Sequence, residues 1–362
     1  MKILTVVGAR PQFIKAAVVS HELRKKYTEI LVHTGQHYDY NMSEKFFEEL
    51  DIPKPNYNLG ISGGSHAEMT GKMMIEIEKV LEKESPDYLL VYGDTNSTLA
   101  AALSAAKLHI PVCHVEAGAR THSMTNPEEI NRICTDHVSS LLLASTKSGY
   151  DELKKEGLSN NSFLVGDPMY DAFDKYSKVL DLNDIKLKSL LGEEEINVPK
   201  KFYYLTCHRE ENTKDDQTLL EIFKAMNDLD YPTIYPVHPR NKKRASRLNN
   251  LYNFKNIILC EPVGYLESTC LVKNAEKIVT DSGGLQREAF FANKKCVTLL
   301  DFECWPETMV ENRNNLSKPI KSDILNNLNK IQKINDNYRP FGDGNSAMKI
   351  VDLLYKSYSE RK

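Results

Sequence analysis

The sequence contains no stretch of about 20 apolar residues, the length a membrane-spanning helix needs. It also lacks a basic excess: 47 Lys and Arg stand against 50 Asp and Glu, for a formal net charge of -3. The first absence excludes a helical membrane span, and the second removes the electrostatic footprint of a nucleic-acid-binding protein. Seven cysteines (Cys113, Cys134, Cys207, Cys260, Cys270, Cys296 and Cys304) form no C-x-x-C pair. That scatter argues against a disulfide framework and for free thiols in a reducing cytoplasm. The apolar run at residues 1–8 is too short for a signal peptide and leads straight into strand-like sequence. No G-x-G-x-x-G follows that run, so a dinucleotide fingerprint is excluded. Gly64 and Gly71-Lys72 are spaced wrongly for a P-loop, with Met73 after the lysine. His33 and His37 span a strand end rather than a helix face and have no evident third ligand, so no metal is expected.

What is present is a repeated alternation of short apolar runs and helical patterns. With 362 residues, 41% hydrophobic, the chain is long enough for two domains with substantial cores. Strands are expected near 3–7, 29–33, 88–92, 112–115 and 141–144, with helices around 11–26, 66–84, 97–107, 128–138 and 147–156. Strands this apolar are buried on both faces, which predicts parallel sheets covered by helices. A polar stretch, 181–201, reads as a linker. Alternation then resumes, with strands near 202–207, 233–237, 257–260, 277–280 and 296–300. The expected organisation is a doubly wound domain at 1–168, a second at 169–344, and a last helix at 345–362 returning to the first. Its apolar Ala347, Ile350, Val351, Leu354 and Tyr358 recur close to helical spacing. Two such domains are expected to face a cleft, with ligands at the loops after strands.

Those loops carry the chemistry-bearing residues. In the stretch Thr280-Asp281-Ser282-Gly283-Gly284-Leu285-Gln286-Arg287-Glu288 the chain turns from strand to helix on Ser282, Gly283 and Gly284. Backbone N–H groups at such a helix start favour phosphate. An ordinary tight turn is the alternative from local sequence. Glu288, one turn further on, suits hydroxyls such as those of a ribose. Arg10 and Lys15 follow the first strand, either as anion ligands or as solvated cations beside a helix start. Asp94 follows the strand at 88–92, where a plain helix cap is the alternative. Glu116 ends the next strand, and Glu128 and Glu129 open a helix, a favourable place for acids in any case. Neighbouring carboxylates push their pKa values apart, which would make one a base and another an acid. His208-Arg209 and His238-Pro239-Arg240 end two strands of the second domain. Beside the Ser-Gly-Gly turn they make a diphosphate site.

Six of these motifs occur in one order: Gly8-Ala9-Arg10-Pro11, Gly93-Asp94-Thr95, His114-Val115-Glu116-Ala117-Gly118, Pro127-Glu128-Glu129-Ile130-Asn131-Arg132, His208-Arg209-Glu210 and Thr280-Asp281-Ser282-Gly283-Gly284, with Gly342-Asp343-Gly344 beyond. Together they resemble the non-hydrolysing UDP-N-acetylglucosamine 2-epimerase family over nearly the whole chain. The resemblance implies a glycosyltransferase-B fold of two Rossmann-like domains. It also implies inversion at C2 of a UDP-2-acetamido sugar through elimination and re-addition of UDP, without nicotinamide or metal. By position, Asp94, Glu116 and Glu128 are then the acid/base carboxylates and His208 assists the diphosphate. Ser282 and Gly283 hold phosphate, Glu288 the ribose, and Arg10 and Lys15 help from the other domain. A cytoplasmic homodimer feeding surface polysaccharide synthesis is implied in the same way.

Two departures from the family pattern bear, in turn, on activation by substrate and on the substrate itself. The loop Gly35-Gln36-His37-Tyr38-Asp39-Tyr40-Asn41-Met42-Ser43 differs from the family loop linked to allosteric activation. Trp305-Pro306-Glu307 replaces a frequent Arg-Pro-Glu. Together with Gly8-Ala9-Arg10-Pro11-Gln12-Phe13-Ile14-Lys15, that replacement is similar to the branch acting on UDP-2,3-diacetamido-2,3-dideoxyglucuronate. A glycosyltransferase of the same fold is the reading from another class, because fold alone does not fix function. A UDP-releasing hydrolase and a nucleotide-sugar sensor complete the alternatives.

Overall fold

The structure is a computed structural model that describes residues 1–36, 46–192, 194–303 and 305–361. The chain divides into two compact units, Met1–Ala172 with Arg339–Lys362, and Phe173–Tyr338. Each is an α/β unit built on a parallel sheet, the Rossmann-like class the apolar strands imply.

The first unit holds a seven-stranded sheet in the order β3-β2-β1-β4-β5-β6-β7. Its strands are β1 Lys2–Val7, β2 Thr28–His33, β3 Tyr57–Asn58, β4 Tyr88–Tyr92, β5 Val112–Val115, β6 Leu141–Ala144 and β7 Ser162–Leu164. Strands β1, β4, β5 and β6 are buried along almost their whole length. On one face Leu4, Val6, Leu89 and Val91 meet Ala100, Ala101, Ala102 and Ala105 of the helix Asn96–Lys107. Four small residues let that helix lie close both to the sheet and to Met73, Ile77 and Leu81 of His66–Glu84. The last helix, Ser346–Ser359, belongs to this unit and buries Ile350, Val351 and Leu354. Each such side chain contributes about 1.5–3 kcal/mol. Tyr355 stacks on Tyr27, and the Ser357 hydroxyl lies 2.7 Å from that of Tyr88.

The second unit holds a six-stranded parallel sheet in the order β12-β11-β10-β13-β14-β15. Its strands are β10 Tyr203–Thr206, β11 Thr233–Pro236, β12 Ile257–Cys260, β13 Lys277–Thr280, β14 Lys295–Thr298 and β15 Asn314–Leu316. The polar stretch expected to be a linker is instead part of this unit. It forms an antiparallel hairpin, β8 Lys186–Lys188 with β9 Glu195–Asn197. The hairpin buries Leu187, with Ile185 beside it, against Phe202 and Tyr204. Backbone hydrogen bonds to the end of β12, from Leu190 N–H to the Leu259 carbonyl at 3.0 Å and from Glu261 N–H to the Lys188 carbonyl at 2.9 Å, hold it there as well.

In each sheet the strand order reverses once, between β1 and β4 and between β10 and β13. Ligands of open parallel sheets sit at the carboxyl ends of strands at such switch points. The loops holding Gly8–Arg10, Gly93–Asn96, His208–Arg209 and Asp281–Gly284 all lie there. Six described cysteines are free thiols, five of them buried. Among the described residues no helix is long and apolar enough to cross a membrane.

Candidate active site

In the first unit, Gln12 ties the two strands flanking the switch point. Its Oε1 accepts from the N–H groups of Gly8 and Ala9 at 2.7 and 3.0 Å, and its Nε2 donates to the Tyr92 carbonyl at 2.8 Å and the Thr98 hydroxyl at 2.9 Å. The helix Arg10–Arg24 therefore starts from a fixed point, with Pro11 in its first turn. Arg10 places its guanidinium 5.0 Å from the Phe46 ring centre. Lys15 points inward and is 1% exposed, its Nζ 2.5 Å from Glu116 Oε2. Glu116 follows β5 with φ +72°, a conformation that non-glycine residues adopt rarely. Gly93, after β4, has φ +62°, and a Cβ there would stand 3.5 Å from Lys15 Nζ and 3.6 Å from Glu116 Oε1. The buried ion pair thus lies directly over the Gly93 turn.

Asp94 does not cap the helix behind it, because Thr95 does so, accepting from the Thr98 N–H. The Asp94 carboxylate instead pairs with Arg132, and its carbonyl accepts from Asn131 Nδ2 at 2.9 Å. Arg132 also reaches Glu129 at 3.0 Å. Of the two adjacent glutamates, Glu129 is the anchored one: it is 1% exposed and accepts from the N–H groups of Thr121 and His122. Burial works to raise its pKa, but those N–H groups and Arg132 outweigh it and hold the carboxyl below its usual range. Glu128 stays exposed in the first turn of the helix Pro127–Val138, its own N–H bonded to Asn126 Oδ1. Asp94 and Glu116, which follow adjacent strands, are thus each paired with a cation of their own.

In the second unit the fixed point is Asp281, fully buried after β13. Its Oδ2 accepts from the N–H groups of His208 and Arg209, both at 2.8 Å, and its Oδ1 faces His208 Nδ1 at 3.1 Å. Burial alone would raise the Asp281 pKa, yet His208 and the two N–H groups carry it below the usual range. The His208 ring is 43% exposed and stacks with His238 at 6.3 Å between centroids. Arg240 donates to the His208 carbonyl at 3.2 Å. The helix Gly283–Phe291 begins beside them, with Ser282 as its cap, accepting from the Leu285 N–H. Neither Gly283 nor Gly284 has a positive φ. A Cβ on Gly283 would meet atoms at van der Waals distance, Gln286 Nε2 at 3.8 Å and Trp305 Nε1 at 4.0 Å. A tight turn therefore does not explain this glycine. Glu288 is buried on the same helix, and Arg287 lies over the Trp305 ring at 4.1 Å.

His33 stacks on Phe13 at 5.2 Å. His37, its companion in the weighed metal pair, and most of the loop compared with the family's allosteric loop lie outside the described residues. Sequence reasoning quoted Arg132, Asp281 and His114 inside motifs without giving them tasks. Arg132 was accessible by spacing, since it follows Glu129 by three residues and Glu128 by four on one helix. His114 was marked by being a polar residue in an apolar strand.

Two doubly wound α/β units, each with polar side chains gathered at its sheet's switch point, define a chain of the nucleotide-ligand-binding Rossmann-like class. Residues 21–355 match the family model described as UDP-N-acetylglucosamine 2-epimerase. The chain belongs to that family. It is 47% identical over 360 residues to a UDP-N-acetylglucosamine 2-epimerase homolog of Methanococcus maripaludis, covering 98% of this chain and 99% of the relative. It is 44% identical to the UDP-2,3-diacetamido-2,3-dideoxy-D-glucuronate 2-epimerase of Pseudomonas aeruginosa, covering 98% of this chain and 100% of the relative. Among solved structures, the Methanocaldococcus jannaschii UDP-GlcNAc 2-epimerase in complex with UDP-GlcNAc and UDP is similar at a TM-score of 0.86. That match is 40% identical and covers 98% of this chain and 100% of the other.

Proposed function

We propose that this protein is a non-hydrolysing 2-epimerase that interconverts UDP-N-acetylglucosamine and UDP-N-acetylmannosamine, or the epimers of a close UDP-2-acetamido sugar. Membership of the family carries the reading, and the pairing of Asp94 with Arg132 and of Glu116 with Lys15 supports it. In the forward direction a carboxylate takes the C2 proton while the bond from C1 to the diphosphate oxygen breaks, leaving a C1–C2 double bond and free UDP. Protonation of C2 on the opposite face and return of the UDP oxygen to C1 complete the inversion. No carbonyl neighbours C2, so departure of UDP leads and positive charge builds on the ring. Anionic Asp94 and Glu116 stabilise that charge, and donors around the diphosphate stabilise the leaving group.

Asp94, Glu116 and Glu128 are the acid/base groups in this reading. His208 is oriented by Asp281 and, with His238 and Arg240, serves the diphosphate. Ser282, Gly283 and Gly284 present the helix start to phosphate, and Glu288 serves the ribose. In the first unit Arg10 and Lys15 are also assigned to the substrate, Lys15 by way of Glu116. A second substrate reading, a UDP-2,3-diacetamido-2,3-dideoxyglucuronate, is favoured by Trp305-Pro306-Glu307 and by the 44% identical relative of that name. The protein is taken as a cytoplasmic homodimer serving surface polysaccharide synthesis, as its family resemblance suggests. Light scattering on the purified protein checks the dimer.

The decisive experiment incubates the protein with each UDP-sugar in deuterated water and follows C2 by NMR. Deuterium at C2 of intact UDP-sugar is the expected result. Free UDP with released sugar would instead identify a hydrolase, and no exchange with either sugar would sink the isomerase reading.

A further inference from the structure

His114 lies in β5, wholly buried, two residues before Glu116. Its Nε2 is 2.7 Å from the Gly93 carbonyl oxygen, and its Nδ1 is 2.6 Å from Asp136 Oδ1. A carbonyl oxygen can only accept, so Nε2 carries a hydrogen. Asp136 is equally buried, and its other oxygen accepts from the Gly118 N–H at 3.0 Å and from Arg120 Nη2 at 2.7 Å. Two donors on that oxygen, one of them a guanidinium, keep Asp136 a carboxylate, so Nδ1 carries a hydrogen as well.

Arg120 also binds Glu156, at 2.8 Å from both Nε and Nη2. Glu156 is 26% exposed, so the buried partners of the ring are Asp136 and, through it, Arg120. Facing this group from other elements, His137 pairs with Glu156 at the exposed rim. Glu116, beyond His114 on its own strand, is matched by Lys15.

We infer that His114 is a positioning residue, held as an imidazolium by Asp136, that fixes the Gly93 carbonyl and through it the backbone that presents Asp94. The turn is gripped on both sides of the Asp94 backbone: His114 holds the carbonyl before it and Asn131 the carbonyl after it. The same imidazole anchors the strand end that leads into Glu116, so one buried cation sets the register of two carboxylates on adjacent strands. The inference rests on the reading of Asp94 as an acid/base group. On that reading, displacement of the carboxylate by about 1 Å costs on the order of 100-fold in rate.

The test combines ring-nitrogen NMR on histidine-labelled protein with kinetics of two variants. In the wild type at neutral pH both His114 ring nitrogens are expected to be protonated, and a nitrogen without a proton overturns the inference. H114Q should lose about 100-fold in kcat for C2 exchange, with KM and UDP affinity changed less than about twofold. A kcat equal to wild type would remove the positioning role. D136N keeps the shape of the group but removes one negative charge. There an amide replaces the carboxylate that accepts from His114 Nδ1, so one His114 ring nitrogen rather than two should carry a proton, and kcat should fall. A D136N kcat equal to wild type overturns the coupling. Absence of exchange in the wild type would defeat the epimerase reading rather than this one. The ring-nitrogen signals and the Asp94 amide resonance then decide, and the amide resonance must move in H114Q for the inference to stand.

Discussion

Lys15 and Glu116 form an ion pair in the interior of the first unit, Nζ to Oε2 at 2.5 Å, each side chain less than a tenth exposed. The pair lies over Gly93, where φ +62° rather than lack of space favours glycine. On the proposed reading of Glu116 as an acid/base group, Lys15 is the cation that holds its carboxylate charged. Removing one partner leaves a bare charge in the interior.

Lys15→Met should therefore lower stability by about 3–5 kcal/mol. Adding Glu116→Gln should restore part of that loss, because the stranded charge goes with it. Urea unfolding of the two variants and the wild type checks this. A double variant no more stable than Lys15→Met would show that lost packing, rather than the lone carboxylate, dominates.

Arg132 should be needed in its own form. Its guanidinium spans Asp94 and Glu129, a forked geometry that a lysine cannot reproduce. Arg132→Lys is expected to lower kcat for C2 exchange by roughly 100-fold. UDP affinity should change less than about twofold, because the nucleotide grip is assigned to the second unit. Isothermal titration with UDP and the exchange assay separate the two effects. A large loss of UDP affinity with kcat preserved would reverse the assignment.

Gly283→Ala separates a turn glycine from a ligand glycine. Its backbone has no positive φ and its surroundings admit a Cβ, so stability should stay within about 1 kcal/mol of wild type. UDP affinity should fall by about tenfold or more, because the methyl group occupies the space through which phosphate approaches the helix start. Unchanged affinity for UDP would return Gly283 to an ordinary helix opening.

How much of this was legible in the sequence depends on what each residue answers to. Leu89-Leu90-Val91 and Val112 to Val115 are apolar on both faces, so their strands and parallel sheet follow from local pattern. The glycine and proline punctuation placed the loops that hold Asp94 and Ser282. The edge strands Ser162–Leu164 and Asn314–Leu316 are three residues long and exist through pairing with β6 and β14. The hairpin at Lys186–Lys188 hid in a polar stretch for the same reason: its docking comes from Leu187 finding Phe202 and Tyr204. In the site, residue types announced which groups carry chemistry. The partners that orient them, Arg132 for Asp94 and Asp281 for His208, are properties of tertiary contact. Glu128 and Glu129 were indistinguishable until helix phase turned one inward.

Asp281 should make stability depend on acid. Its folded pKa lies below that of an unfolded aspartate, so its contribution is complete above the unfolded value, about 3.9. The contribution is lost as pH falls through the folded value. The stability difference between wild type and Asp281→Asn should thus be full at neutral pH and shrink below about pH 4. Urea midpoints measured from pH 7 to pH 3 test the sign. A difference that grows on acidification would contradict it.

Lys295 should produce a slope of the same sign at the alkaline end. It opens β14, buried, with Nζ donating to the Asn312 carbonyl at 2.5 Å and to the Asn315 amide oxygen. Burial without a paired carboxylate pushes its ammonium down to about 8. In the unfolded chain a lysine titrates near 10.4. Between those values the unfolded state binds more protons than the folded state, so stability gains from this residue as pH rises. Tyrosines and other lysines titrate in the same range and would mask the effect in the wild type alone. The difference between wild type and Lys295→Met isolates it. That difference should move in favour of the wild type from about pH 8 to about pH 10. A flat difference across this range would mean that the folded lysine keeps its proton, held by the two oxygens that already surround it.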